Sequence, residues 1–180
     1  MTSIADELIA DMKAVFGDDR KRIDHALNVL GFADRIRAVE GGDVVVIQAA
    51  AVLHDIGIHE AERKNGSAAG RYQEMEGPAI AAGILYKHDV DEDRVAHVIR
   101  IIANHHSARD IDTLEFRVLW DADWLLNFPE RFSEASAADC ADRIQEIFKT
   151  DTGREIALSL FAGSSHSHSQ PVDSKGRFLR

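Results

Sequence analysis

The segment VVVIQAAAVLHD, residues 44 to 55, most constrains what this chain can fold into. From Val44 to Leu53 every residue except Gln48 is apolar, and the run ends in an adjacent histidine and aspartate. Its β-branched start suits a strand, but the alanine-rich continuation and the length favour a helix. A helix that is apolar nearly all round must be covered nearly all round. The rest of the chain therefore has to supply partners for it.

Those partners read as helices too, because apolar residues elsewhere recur at intervals of three and four. Ile4, Leu8, Met12 and Val15 predict a first amphipathic helix, opened by a Ser3 cap and closed near Gly17. A second, from Asp19 to Val39, turns Ile23, Ala26, Leu27, Leu30 and Ala33 inward and Arg35, Arg37 and Glu40 outward, and ends at Gly41 and Gly42. Further helices are expected at about residues 76–87, 92–105, 112–126, 130–149 and 152–161. No strand alternation competes with them, so the expected class is an all-α helical bundle. With 180 residues and 45% hydrophobic content the chain can bury one sizeable core. A single domain over residues 1–163 is expected, followed by a flexible tail, residues 164–180, in which His166 and His168 are solvent-exposed. The stretch IGIHEAERKNGSAAGRYQEMEG is rich in Gly, Ala and charge, and its residues 58–75 are expected to be a long loop of the kind that forms lids.

The 21 Lys and Arg against 31 Asp and Glu give a net charge of −10, which opposes a generic grip on a nucleic-acid polymer. A small anion stays compatible, since a bound divalent ion and a few basic residues outweigh the global field within one pocket. Cys140 is the single cysteine, so an intramolecular disulfide and a thiolate cluster are both excluded. That points to a reducing compartment and to nitrogen and oxygen metal ligands. Charges interrupt the N-terminal segment and no apolar run approaches ~20 residues, so neither a signal peptide nor a membrane span is expected. The expected location is cytoplasmic.

The chemistry starts at His54 and Asp55. Consecutive helical residues point about 100° apart, so both face one site only if the helix ends there, and Gly57 supplies an ending. An imidazole beside a carboxylate suits a divalent cation, and a carboxylate can also bridge two ions. A histidine hydrogen-bonded to an aspartate is equally an ordinary core arrangement. His25 lies near the inward stripe of the second helix, and Asp121 sits among Leu119, Trp120, Trp124 and Leu125. Each alone reads more simply as a satisfied core histidine or an aspartate paired with arginine. Together they place His, His-Asp and Asp in order on three helices.

In RIDHALNVLGFA, AAVLHDIG and VLWDADWL the chain resembles the HD-domain metal-dependent phosphohydrolase superfamily, whose pattern is H…HD…D on a helical bundle. The resemblance spans roughly residues 20 to 127 and implies His25, His54, Asp55 and Asp121 as metal ligands, with Asp123 directed elsewhere. Members with more metals add a histidine before the glycine of the fourth helix and a His-His pair after the fifth. His105 and His106 match the pair, whereas Gln73, Glu74 and Glu76 stand where the single histidine would be. One tightly held metal is therefore expected, with room for a second. The segment of cyclic-dinucleotide phosphodiesterases that follows the His-His pair is absent, which argues against that activity, and Ile58 and His59 replace the lysine often found after the glycine.

The resemblance implies hydrolysis of a small phosphorylated substrate, a nucleotide by expectation, through metal-activated water. Lys21, Arg22, Lys64 and Arg71, with Arg63, are candidates to hold phosphate oxygens. His105, His106, Glu74 and Glu76 are the candidate catalytic residues, with Glu60 and Glu62 weaker ones, and one of the two adjacent histidines is expected to face the site. The ligand set suits Mn, Fe, Co, Ni or Mg better than a structural zinc. Two other classes remain open: a non-catalytic nucleotide-sensing module, and a di-iron oxygenase-type relative. The amphipathic terminal helices are suited to a homodimer.

Overall fold

A computed structural model describes residues 3–163; the segment from 164 onward, with His166 and His168, lies outside the described residues. Among the described residues there are nine α-helices and no strand, in the order α1 (Ile4–Phe16), α2 (Arg20–Glu40), α3 (Val44–Leu53), α4 (Ile58–Asn65), α5 (Gly70–Lys87), α6 (Glu92–Ile102), α7 (Leu114–Arg131), α8 (Ala137–Ile147) and α9 (Asp151–Ala157). A π-helical turn, Leu158–Ala162, extends α9. The all-α expectation holds.

The apolar run is the hub. Val46, Ile47 and residues 49–53 are buried, and α1, α2, α6 and α7 pack around them. Each large aliphatic side chain so withdrawn contributes roughly 1.5–3 kcal/mol. Asp43 starts this helix by accepting hydrogen bonds from the Val45 and Val46 N–H groups, and its other oxygen takes Arg94 of α6 at 2.8 Å. α2 and α7 run antiparallel alongside: Glu115, at the start of α7, accepts from the Asp43 N–H just after α2, while His25 of α2 meets Asp123 further along α7. Among the described residues no single helix is long and apolar enough to cross a membrane.

Two expectations about local structure change. Residues 58–75 are not a loop: α4 and the first turn of α5 occupy most of them. Ile58 and Ala61 are the only buried residues of α4, too few to register as a period. Its exposed face is laced by Glu60–Arg63 at 2.7 Å and Glu60–Lys64 at 3.1 Å, the i,i+3 and i,i+4 pairs that support short helices. α7 also runs through Pro129 to Arg131, so the break expected near 126 comes later and α8 is shorter than expected.

Gly57 acts differently from a left-handed helix end. Its φ of −81° is ordinary, and it opens α4. After Leu53 the chain turns through tight i→i+3 hydrogen bonds, Ile56 N–H to Leu53 O at 3.1 Å and Ile58 N–H to Asp55 O at 3.0 Å. The glycine is needed because a Cβ there would lie 2.5 Å from the backbone N of Gly77 on α5. Gly57→Ala must push two backbones apart, an overpacking cost of about 1–3 kcal/mol. Thermal unfolding of the variant is expected to fall by several degrees, at roughly 2–4 °C per kcal/mol; an unchanged Tm would show the contact to be loose.

Candidate metal centre

Three segments bring four donors to one point. α2 supplies His25, the turn between α3 and α4 supplies His54 and Asp55, and α7 supplies Asp123. His25 Nε2 lies 3.3 Å from His54 Nε2 and 3.8 Å from Asp55 Oδ2, and His54 Nε2 is 3.5 Å from the same oxygen. Asp123 Oδ1 is 3.0 Å from His25 Nε2 and 3.7 Å from His54 Nε2. Donors around one ion at roughly 2.0–2.2 Å sit about 3–4 Å from one another. The spacing of His25, His54 and Asp55 fits a single divalent cation, and Asp123 lies against both imidazoles.

The hydrogen bonds behind these atoms prepare them for ligation. His54 Nδ1 donates to Ala51 O at 3.0 Å, and a carbonyl only accepts, so the proton is on Nδ1 and Nε2 presents a lone pair to the cluster. Burial holds the His54 imidazolium well below its ordinary range. Burial opposes ionisation of Asp55, but His54, His105 and His25 around it win and hold the carboxyl below the usual range. Asp123 is likewise held low against burial by its bond to His25, and Asn127 Nδ2 donates to the same oxygen at 2.8 Å. Burial resists charge on His25, yet Asp123 and Asp55 raise it overall, so a proton and a cation compete for this position. Two ionised carboxylates withdrawn from water, beside a His54 that burial disfavours as a cation, call for positive charge.

A second donor group shares Asp55. His105 Nε2 is 3.5 Å from Asp55 Oδ1, the oxygen that faces away from His25 and His54, and His106 brings a nitrogen within 4.8 Å of both. His105 Nδ1 donates to Ile102 O at 2.6 Å, repeating the His54 arrangement. Among the described residues the buried side-chain atoms without a hydrogen-bond partner are His105 Nε2 and Gln73 Oε1. Both residues line the same cleft. Burial of the ring and the neighbouring His105 push His106 down to about 4, so it is neutral at ordinary pH, and its ring is pressed against the bare Cα of Gly70.

The structure corrects several sequence expectations. Asp121 is not in the cluster. Fully buried on the other side of α7, it accepts from Lys149 N–H and Thr150 N–H at 2.7 Å each and from the Thr150 hydroxyl at 2.6 Å, with its carboxylate filling the space a Cβ at Gly153 would take. Burial pushes it up to about 6 against those three donors. Asp123, expected to point elsewhere, is the aspartate in the cluster, because residues two apart on a helix point about 200° apart. The sequence held a signal for this: Asp123 shares its helical face with Trp120, Trp124, Asn127 and Arg131, whereas Asp121 shares the core face with Leu125 and Phe128.

Both histidines of the pair reach Asp55, not one. Glu74 serves as a support, accepting from His106 N–H at 3.0 Å and Ser107 N–H at 2.7 Å, while Glu76 pairs with Lys64 at 2.7 Å; neither lines the cleft. Lys64 is also tied to Glu60, and Arg71 lies over the Tyr72 ring, so the expected phosphate contacts from this region are turned outward. Lys21 and Arg22 do line the cleft, which has a volume of about 510 Å³ and is walled on the α7 side by Trp120, Trp124 and Arg131. The sequence reading missed that wall and Asn127. His59 ties α4 to α2, meeting Asp19 Oδ2 at 3.0 Å and packing edge-on against Phe16.

The sequence profile of the HD domain matches residues 22–147. The chain belongs to the HD domain family. Its fold is similar to two solved HD structures. One is a predicted HD superfamily hydrolase from an uncultured Thermotogales bacterium, 28% identical with a TM-score of 0.63 over 85% of this chain and 82% of that one. The other is an HD-superfamily hydrolase from Bacillus thuringiensis, 18% identical with a TM-score of 0.61 over 88% and 90%. No curated protein matches the chain. The His54-Asp55 doublet lies within the matched residues, and the donor chemistry around it fits a divalent ion.

The two aspartates of α7 are separable by experiment. Asp123→Asn is expected to lower bound metal in elemental analysis while leaving the Tm of the metal-free protein nearly unchanged. Asp121→Asn turns an amide N–H₂ toward buried donors, a cost of about 1–3 kcal/mol, and is expected to lower that Tm while metal is retained. The reverse pattern would return Asp121 to the site.

Proposed function

We propose that the chain is a metal-dependent phosphohydrolase acting on a small phosphorylated substrate, a nucleotide. The observation that carries this is the convergence of His25, His54, Asp55 and Asp123 at the floor of a cleft whose rim is basic, in a chain of net charge −10. HD membership and the likeness to a Thermotogales protein called an HD superfamily hydrolase support the same reading.

A divalent ion held by these residues supplies activated water and a Lewis acid for a phosphoryl oxygen. His25, His54, Asp55 and Asp123 would hold it, and His105, His106 and Gln73 offer donors for a second beside Asp55. Lys21 and Arg22 on α2, at the same end of the cleft as Arg131 on α7, present positive charge to the remaining phosphate oxygens. Asn127 fixes the Asp123 carboxylate, and Glu74 fixes the backbone turn that carries His106. The neutral His106, at the open side of the cleft, is placed to accept a proton from water or exchange one with a leaving oxygen.

Protein purified without a histidine tag is expected to carry close to one or more equivalents of divalent metal and to release phosphate from members of a nucleotide and sugar-phosphate panel, with activity lost on chelation. His54→Ala and Asp55→Ala are expected to lower kcat/KM by more than the ~10–100-fold typical of outer supporting residues. Bound metal without release from any panel member would overturn the hydrolase reading in favour of a sensing module. Bound iron with oxygen consumption would favour an oxygenase.

A further inference from the structure

Building on the hydrolase reading, we propose that Trp120 and Trp124 of α7 form a stacking surface for the base of the nucleotide, so that the aromatic ring and not the sugar phosphate alone is recognised. Both tryptophans are half-buried and line the cleft, flanking Asp123 in sequence on the same helical face. The aromatic wall therefore begins where the donor cluster ends.

Each ring is held by contacts of its own. Trp120 Nε1 donates to Ile147 O at 3.0 Å, and the Lys149 ammonium lies 5.0 Å from its ring centre. Trp124 carries the Arg131 guanidinium 5.0 Å from its ring centre. The two ring centroids are 6.1 Å apart at 46°. A surface fixed in this way needs little ordering when a ligand arrives. Phe116 and Phe128 on the same helix are drawn fully into the core, whereas Trp120 and Trp124 pack against it with part of each ring left on the cleft.

Size and charge agree on the occupant. A cleft of about 510 Å³ falls in the range for whole small ligands and exceeds what a phosphate group needs. The phosphate end would belong with the divalent ion that the donor cluster would hold and with Lys21 and Arg22 on the opposing helix. That leaves the two tryptophans of α7 for the other end of the molecule, and a planar ring can stack on an indole face. Asn127 Nδ2 is committed to Asp123, while the Asn127 amide oxygen and the Glu130 carboxylate on the same helix are acceptors that N–H groups of the base can meet.

The chain has only two tryptophans, and both are in this wall, so its intrinsic emission reports on the site directly. Titration of the metal-loaded protein with adenosine monophosphate is expected to quench that emission saturably, and ribose phosphate at equal occupancy is expected to quench it far less. Trp124→Ala is expected to reduce the preference for the nucleotide over ribose phosphate, measured as the ratio of kcat/KM values or of dissociation constants, by about 5- to 100-fold, the loss of one base stack. Trp124→Phe is expected to restore most of it, and thermal unfolding of both variants checks the fold. Equal quenching by the two ligands, or an unchanged preference in Trp124→Ala, would overturn the proposal while leaving phosphate release, and with it the hydrolase reading, intact. Base-dependent quenching without phosphate release would support the stacking surface and remove the hydrolase reading.

Discussion

Asp55 and Asp123 hold negative charge in the interior of a small helical protein, within reach of His25 and His54. Burial alone would protonate them, and only the surrounding imidazoles and donors keep them charged. That requirement accounts for features that otherwise look unrelated. His54 and His105 each donate Nδ1–H to a carbonyl three residues earlier, so their lone pairs point inward. Asn127 points its amide at Asp123, and among the described residues no lysine or arginine side chain pairs with either carboxylate. The balancing charge is left to something the site binds.

α7 is organised by the same constraint. One of its faces belongs to the core and the C-terminal helices, where Asp121 gathers the Lys149 and Thr150 N–H groups at the entrance to α9. The other face belongs to the cleft, where Asp123 is flanked by tryptophans. Two aspartates separated by a single alanine thus do opposite work, one tying down the connection between α8 and α9 and one facing the cleft.

Much of this was legible in the sequence, and the failures have physical reasons. The all-round apolar run announced a central helix, and His25, His54 and Asp55 stood out as polar residues bordering apolar runs, with the resemblance to the H…HD…D pattern implying their shared role. Asp121 was preferred to Asp123 because the first of the two carboxylates was matched to the last aspartate of the family pattern; its apolar neighbours mark equally a carboxylate serving backbone donors. Helical phase separates the two cases: Trp, Asn and Arg at intervals of three and four identify the face that meets solvent and substrate. α4 was missed because its stability resides in charge pairs and two buried residues, a pattern with no period to find. Glu74 and Glu76 stand close to the site in sequence, but their carboxylates are engaged with a backbone turn and with Lys64.

The contact of Gly57 with Gly77 carries a consequence for the spacing of the two donor groups. α5 touches the His54-Asp55 turn backbone to backbone at that point. One turn earlier it presents Gln73 to the cleft, and through Glu74 it grips the turn that carries His106. The separation between the groups is therefore set by a length of rigid helix, not by adjustable side chains. α5 works as a gauge block, laid between the turn that carries His54 and Asp55 and the turn that carries His106.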